Sequence, residues 1–184
     1  MPPTIPVFVV SLLDCAERRE TISRSLSKLG LEFEFVDAVD GRHGLDPQYE
    51  DQIDRAATRR AGRILSDAEY GCALSHLALY RRIVSENIAY ALVLEDDARP
   101  SPKLVEFLVG HHYREADLIQ LHCSRPYVRR QGAKKLLDTH TSYLRTHRLK
   151  VACTVAYTVS YAASPPFRES CCACDEGSRL ALVY

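Results

Sequence analysis

The sequence predicts an α/β protein: a single domain with a mostly parallel central sheet flanked by helices. Three observations carry this expectation. The opening residues give strand, helix and strand signals in turn, the pattern of a βαβ unit. Ala91-Leu92-Val93-Leu94 is apolar without alternation, as in a central strand covered on both faces. Three acids, Glu95-Asp96-Asp97, follow that run at once, at the strand end where open α/β sheets bind ligands.

Each element has a local reason. Ile5-Pro6-Val7-Phe8-Val9-Val10 is a short β-rich run and reads as the first strand. Asp14 with Glu17 three residues on has the form of a capping box, which makes Asp14 the expected N-cap of a helix. Ile22, Leu26 and Leu29 share a face of that helix, and Gly30 is placed to end it. Leu31, Phe33 and Phe35 alternate with Glu32 and Glu34, a half-buried strand closed by a turn at Asp40-Gly41. Residues 43–64 are polar, Arg-rich and without period, so a loop or irregular helix is expected. Ser66 to Glu69 forms a second capping box. The helix behind it carries Ala73, Leu77, Tyr80 and Val84 at core spacing and ends near Asn87. Tyr90–Leu94, Asp117–Leu121 and Thr154–Ser160 are further strand candidates.

Composition bounds the function. The chain has 184 residues, 46% hydrophobic and 26% charged, enough for one domain with a real core. Twenty-four Lys and Arg balance 24 Asp and Glu, which argues against a general nucleic-acid binder. The balance is uneven along the chain. Residues 99–150 hold eleven Lys and Arg against four Asp and Glu, with five of the seven His. Such a segment suits a phosphorylated substrate or an anionic membrane surface, or it is a solvated basic face. No apolar run reaches the roughly 20 residues that span a bilayer. The N-terminus lacks a basic segment and a cleavage site, so it reads as a strand and not as a signal peptide. The seven Cys are then expected as reduced cytoplasmic thiols. Cys171, Cys172 and Cys174 cluster without a second pair at zinc spacing, a weak metal signal.

The acidic triplet invites a cation. Strand alternation would turn Glu95 and Asp97 to one side and Asp96 to the other. Two carboxylates facing one crevice suit Mg2+ or Mn2+, which keep open positions for phosphate oxygens. The alternative is a surface acidic turn. A receiver-like phospho-signalling domain also gathers acids at strand ends. It needs an acidic cluster after strand one, where only Asp14 stands.

Four blocks occur in order: VFVVSLLDCAERRE, then DAVDGR, then YGCALSHLALYRRIV, then YALVLEDDARPS. Together they closely resemble glycosyltransferase family 25, the enzymes of bacterial lipopolysaccharide and lipooligosaccharide assembly. The resemblance covers residues 5 to about 125 and continues weakly through VACTVAYTVS. It implies a GT-A-like nucleotide-sugar-binding domain. It also implies transfer of a sugar, often galactose from UDP-galactose, to a lipid-linked saccharide acceptor, with Mn2+ or Mg2+ as cofactor. On that pattern Asp97 is a metal ligand, and Glu95 is a second ligand or holds the ribose. Asp96 orients the sugar or caps the turn. Arg18 and Arg19 stand where a diphosphate would dock, unless they are exposed helical arginines paired with Glu17 or Glu20. Asp37 is a wall for uracil and ribose, or a plain turn acid. His76 touches donor or acceptor, or is a satisfied half-buried histidine beside Cys72 and Leu79, with Gly71 and Ser75 as a small-residue stripe. The inverting mechanism that the resemblance suggests needs a general base, and no residue presents itself as one. Cytoplasmic location follows, with peripheral association at the inner membrane face. The pattern fades after Ser160. The expected division is therefore a GT-A-like domain over 1–162 and a divergent, loosely ordered tail over 163–184. That tail raises an alternative, a truncated and inactive nucleotide-sugar-binding or interaction module.

Overall fold

The computed structural model describes residues 5–60, 64–114, 118–121, 133–135, 142–144 and 156–160. The tail over 163–184, the three clustered cysteines and half of the basic 99–150 segment lie outside the described residues. Seven strands are described: β1 (Val7–Ser11), β2 (Glu34–Asp37), β3 (Tyr90–Glu95), β4 (Leu118–Gln120), β5 (Ala133–Lys135), β6 (Ser142–Leu144) and β7 (Ala156–Ser160). The α-helices are α1 (Ala16–Lys28), α2 (Arg55–Arg60), α3 (Asp67–Ser85) and α4 (Pro102–Val109). Five strands form one sheet in the order β2-β1-β3-β7-β4, and β5 pairs with β6 separately. β2, β1 and β3 are parallel neighbours, and β7 runs antiparallel between β3 and β4. The molecule is thus a single α/β domain with a mostly parallel sheet. Among the described residues no helix is long and apolar enough to cross a membrane.

The two faces of the sheet are covered differently. Val7, Val9, Leu92 and Leu94 pack on one face against Ile22 and Leu26 of α1 and Leu104, Phe107 and Leu108 of α4. Phe8, Val10, Ala91 and Val93 pack on the other against Leu79 and Ile83 of α3. Ala91 to Leu94 are all buried, which is why the run shows no alternation. Each buried Val or Leu side chain contributes roughly 1.5–3 kcal/mol by leaving water.

The helix ends show what the sequence could and could not announce. α1 stops in a Schellman motif: Gly30 takes φ +67°, its N–H donates to Ser27 O, and Leu31 N–H donates to Leu26 O. α3 stops the same way, with Asn87 at φ 54° and Ile88 N–H on Ile83 O. α3 opens on the capping box of Ser66 and Glu69. The start of α1 differs from expectation. Its N-cap is Cys15, with no side-chain cap bond, because the Asp14 carboxylate is taken by Arg42. The deepest residues of α3 also differ, being Tyr70, Leu74, Leu79 and Ile83, while Ala73, Tyr80 and Val84 are only partly buried. α3 packs on two surfaces, the sheet through Leu79 and Ile83 and the 39–65 segment through Tyr70 and Leu74. A single core stripe therefore does not describe it.

That second contact is close. A Cβ on Gly71 would stand 2.6 Å from Val39 O, and one on Gly41 would stand 2.1 Å from Asp67 O. Ser75 Oγ accepts from Val39 N–H at 2.8 Å and donates to Gly71 O at 2.6 Å. The small stripe on α3 is where the loop after β2 lies down. Gly71→Ala should therefore destabilise the protein by about 1–3 kcal/mol, despite alanine's better helix propensity. Urea unfolding would measure it, and an unchanged or raised midpoint would contradict this packing.

Candidate functional site

Strand register gathers the candidate residues. Ser11 pairs with Asp37 and Val10 with Glu95, so β2, β1 and β3 end level with one another. From β1 the chain passes through α1 to β2 on one side. It reaches β3, on the other side, through α3 on the opposite face. A crevice at the carboxyl ends of β1 and β3 is the topological switch point of such a sheet.

The acidic triplet fans out there. Ala98 N–H donates to Glu95 O at 3.0 Å, so a turn begins at Glu95 and strand alternation stops. Asp96 turns toward β1 and α1. Its Oδ2 accepts from Ser11 Oγ at 2.7 Å and its Oδ1 from Arg18 Nη1 at 3.2 Å. Its side chain is 10% exposed. Glu95 turns toward α3, with Oε1 3.2 Å from His76 Nε2 and 3.9 Å from Cys72 Sγ. Asp97 is exposed, and among the described residues it makes no hydrogen bond or ion pair. It is not part of the group of Cys72, His76 and Glu95, whose ligating atoms lie within 4.8 Å of one another, though its charge acts on the Cys72 thiol. Three like charges in sequence are thus separated in three directions.

The two arginines have different situations. Arg19 Nη2 donates to Ser11 O at 2.9 Å and to the Asp37 carboxylate, and its Nε donates to Leu12 O at 3.1 Å. Its guanidinium lies 4.7 Å from the centre of the Phe35 ring. Arg19 ties the ends of β1 and β2 together. Arg18 is 62% exposed and among the described residues bonds to Asp96 alone. It keeps N–H groups to offer. Asp37 is exposed at the β2 end with Arg19 as partner. His76 is buried beside Glu95.

Two further groups close the site. Arg42 Nη2 donates to Asp14 at 2.6 Å and to Asp40 at 2.7 Å, joining the loops after β1 and β2. Its hydrogen bond pulls the Asp40 carboxyl down from 3.8 to about 2 and lowers that of Asp14. Burial, and then the charge of Glu95, pushes the Cys72 thiol up to about 11, so it stays protonated beside the carboxylate. Ser11 and Arg42 escaped the sequence reading. Ser11 looks like an ordinary strand residue, and Arg42 like a turn residue. The spacing of Asp40 and Arg42 is a local clue to Arg42 alone. Cys72 and His76 were visible as neighbours one helical turn apart, but their carboxylate partner was not.

Residues 4–167 match the family model described as Glycosyltransferase family 25 (LPS biosynthesis protein). The chain belongs to glycosyltransferase family 25. Among its relatives, inactive glycosyltransferase 25 family member 3 of Homo sapiens is 36% identical over 104 residues, 50% of this chain and 16% of that protein. Procollagen galactosyltransferase 1-A of Xenopus laevis is 34% identical over 104 residues, with the same shares. A putative glycosyltransferase of Haemophilus influenzae is 32% identical over 103 residues, 55% of this chain and 35% of that protein. The family 25 chain thus spans a small part of the vertebrate relatives and about a third of the bacterial one.

The Arg42 bridge sets a pH dependence. A carboxyl depressed in the folded state contributes stability above its unfolded value and loses it as pH falls through the folded one. The contribution of Asp40 is therefore full above about pH 4 and lost toward about pH 2. Arg42→Gln should flatten the acid limb of stability between those values. Urea midpoints against pH test this, and superimposable slopes would refute the bridge.

Proposed function

We propose that this domain binds a nucleoside diphosphate sugar in the β1–β3 crevice and transfers the sugar to a saccharide hydroxyl. The observation that carries this reading is the exposed Arg18 beside a half-buried, partnered Asp96 and an open Asp97, all at the switch point. A planar guanidinium with spare N–H groups takes two oxygens of a diphosphate at once. Arg18 is held by Asp96 in the first turn of α1, where helix N–H groups also favour anions. Asp37 offers an exposed carboxylate at the end of β2 for ribose hydroxyls. Arg19 fixes that end and is a positioning residue.

The residues also fit a hard divalent ion. Asp97 supplies an unengaged carboxylate, and Glu95 has one oxygen besides the one facing His76 and Cys72. Mn2+ or Mg2+, when bound, would neutralise charge on the departing diphosphate. We read the fold as GT-A-like, the donor as UDP-galactose, the transfer as inverting and the acceptor as a lipid-linked core saccharide of the cell envelope. Cytoplasmic location at the inner membrane face goes with that acceptor. The name of the Xenopus relative supports galactose, and the family description supports the lipopolysaccharide acceptor.

A second reading has its own support. Relatives from Homo sapiens and Mus musculus are named inactive. On that reading the domain binds donor without transfer. Calorimetry with UDP-galactose, with and without Mn2+, tests donor binding, and UDP release with a saccharide acceptor tests transfer. Binding should require Mn2+ and weaken about tenfold or more in Asp97→Asn and in Arg18→Ala, as loss of a charge-assisted bond implies. Folded protein that binds neither UDP-galactose nor UDP would refute the donor site. Binding without UDP release would favour the inactive module.

A further inference from the structure

We propose that Cys72, His76 and Glu95 form a site for one thiophilic divalent ion of the zinc class, on the α3 side of the crevice and separate from Asp97. Cys72 and His76 are one turn apart on α3, so their side chains leave the same face. Glu95 meets them from the end of β3. The sulfur, the imidazole nitrogen and the carboxylate oxygen all lie within 4.8 Å of one another. Tetrahedral zinc with ordinary bond lengths sets nitrogen and oxygen ligands about 3.4 Å apart, and sulfur and oxygen ligands about 3.6 Å apart. The structure has them 3.2 Å and 3.9 Å apart. Shifts of about 0.3 Å or less would bring these two pairs to zinc geometry, while the sulfur and the nitrogen, within 4.8 Å of each other, would close toward about 3.6 Å.

The donor set sets the choice of ion. A thiolate, an imidazole and a carboxylate suit Zn2+ and Co2+, while Mg2+ and Mn2+ prefer oxygen. Thiolate and carboxylate together balance the charge of a dication in a half-buried position. Three protein ligands leave a fourth position, the mark of a site that meets a ligand rather than a purely structural one. Glu95, 23% exposed, opens that position to the crevice. The helix is anchored without the ion, by its capping box and by Leu79 and Ile83 in the core. In the absence of metal, Cys72 and His76 hydrogen-bond Glu95, so the protein folds in both states. The proposal does not depend on sugar transfer.

Cobalt titration of the full chain tests it, on a background of Cys171→Ser, Cys172→Ser and Cys174→Ser that removes the clustered tail thiols. About one equivalent of Co2+ should bind with a thiolate-to-metal charge-transfer band, and Zn2+ should displace it. Cys72→Ser should abolish the band and weaken binding about tenfold or more, while Asp97→Asn keeps both. No band, a band that survives Cys72→Ser, or a band lost in Asp97→Asn would overturn the site. Circular dichroism checks that Cys72→Ser folds. If it does not, X-ray absorption of the zinc-loaded background protein decides: a sulfur and an imidazole in the shell support the site, and an oxygen-only shell refutes it. Failure of the protein with Asp97 intact to bind UDP-galactose, with the cobalt spectrum present, would count against the donor site alone.

Discussion

A carboxylate that is 10% exposed has to be supplied with donors, and Asp96 draws them from two elements at once. Ser11 comes from the end of β1 and Arg18 from the first turn of α1. That single acid therefore fixes how the end of β3 sits against the βαβ unit. Its inward turn also frees its neighbours. With Asp96 directed to β1, Glu95 reaches α3 and Asp97 is left to solvent. Had the triplet stayed extended, two of its carboxylates would have shared one side at close range. Like charges there destabilise unless a cation or a set of donors intervenes. The turn at Glu95 resolves most of this repulsion within the protein and leaves one open carboxylate.

The arginines divide a task that the sequence shows only as a pair. Adjacent positions on a helix point about 100° apart, so Arg18 and Arg19 cannot do the same thing. Arg19 is 18% exposed, spends its donors on the carbonyls of Ser11 and Leu12, and lies over Phe35. Truncating it would remove a donor from the Ser11 and Leu12 carbonyls at the end of β1 and from the Asp37 carboxylate at the end of β2. Arg18 is outward and singly bonded. A ligand can recruit it by competing with one ion pair that is exposed on the arginine side, while Ser11 still donates to Asp96.

Much of the frame was legible because its signals are local. A βαβ opening, a Gly at C′, a capping box at Ser66 and an unbroken apolar run each act within a few residues, and all are in the structure. The failures are nonlocal. Asp14 has a good N-cap sequence, but Arg42, 28 residues away, outcompetes the helix for its carboxylate. The strand near 154–160 was visible, but its insertion between β3 and β4 depends on pairings far apart in sequence. In the candidate site the residue types were visible and their partners were not. Glu95 and Asp97 looked like a pair by alternation, which holds only while the chain remains a strand.

The loop after β2 explains why the crevice can hold a defined shape. Gly41 and Gly71 let two backbones approach where no side chain fits, and Ser75 locks them with a donated and an accepted bond. That contact makes the 39–42 segment, with Asp40 and Arg42, ride on α3. The same helix carries Cys72 and His76 to Glu95. The same helix therefore supports the 39–42 segment and carries the Cys72 and His76 corner. β1 and α1 supply the opposite wall through Ser11 and Arg18, and Asp96 joins the two halves. A ligand that draws Arg18 away from Asp96 would loosen that joint from one side only, because the Ser11 hydroxyl still holds the carboxylate. The crevice can then admit an anion at Arg18 without releasing β3 from β1.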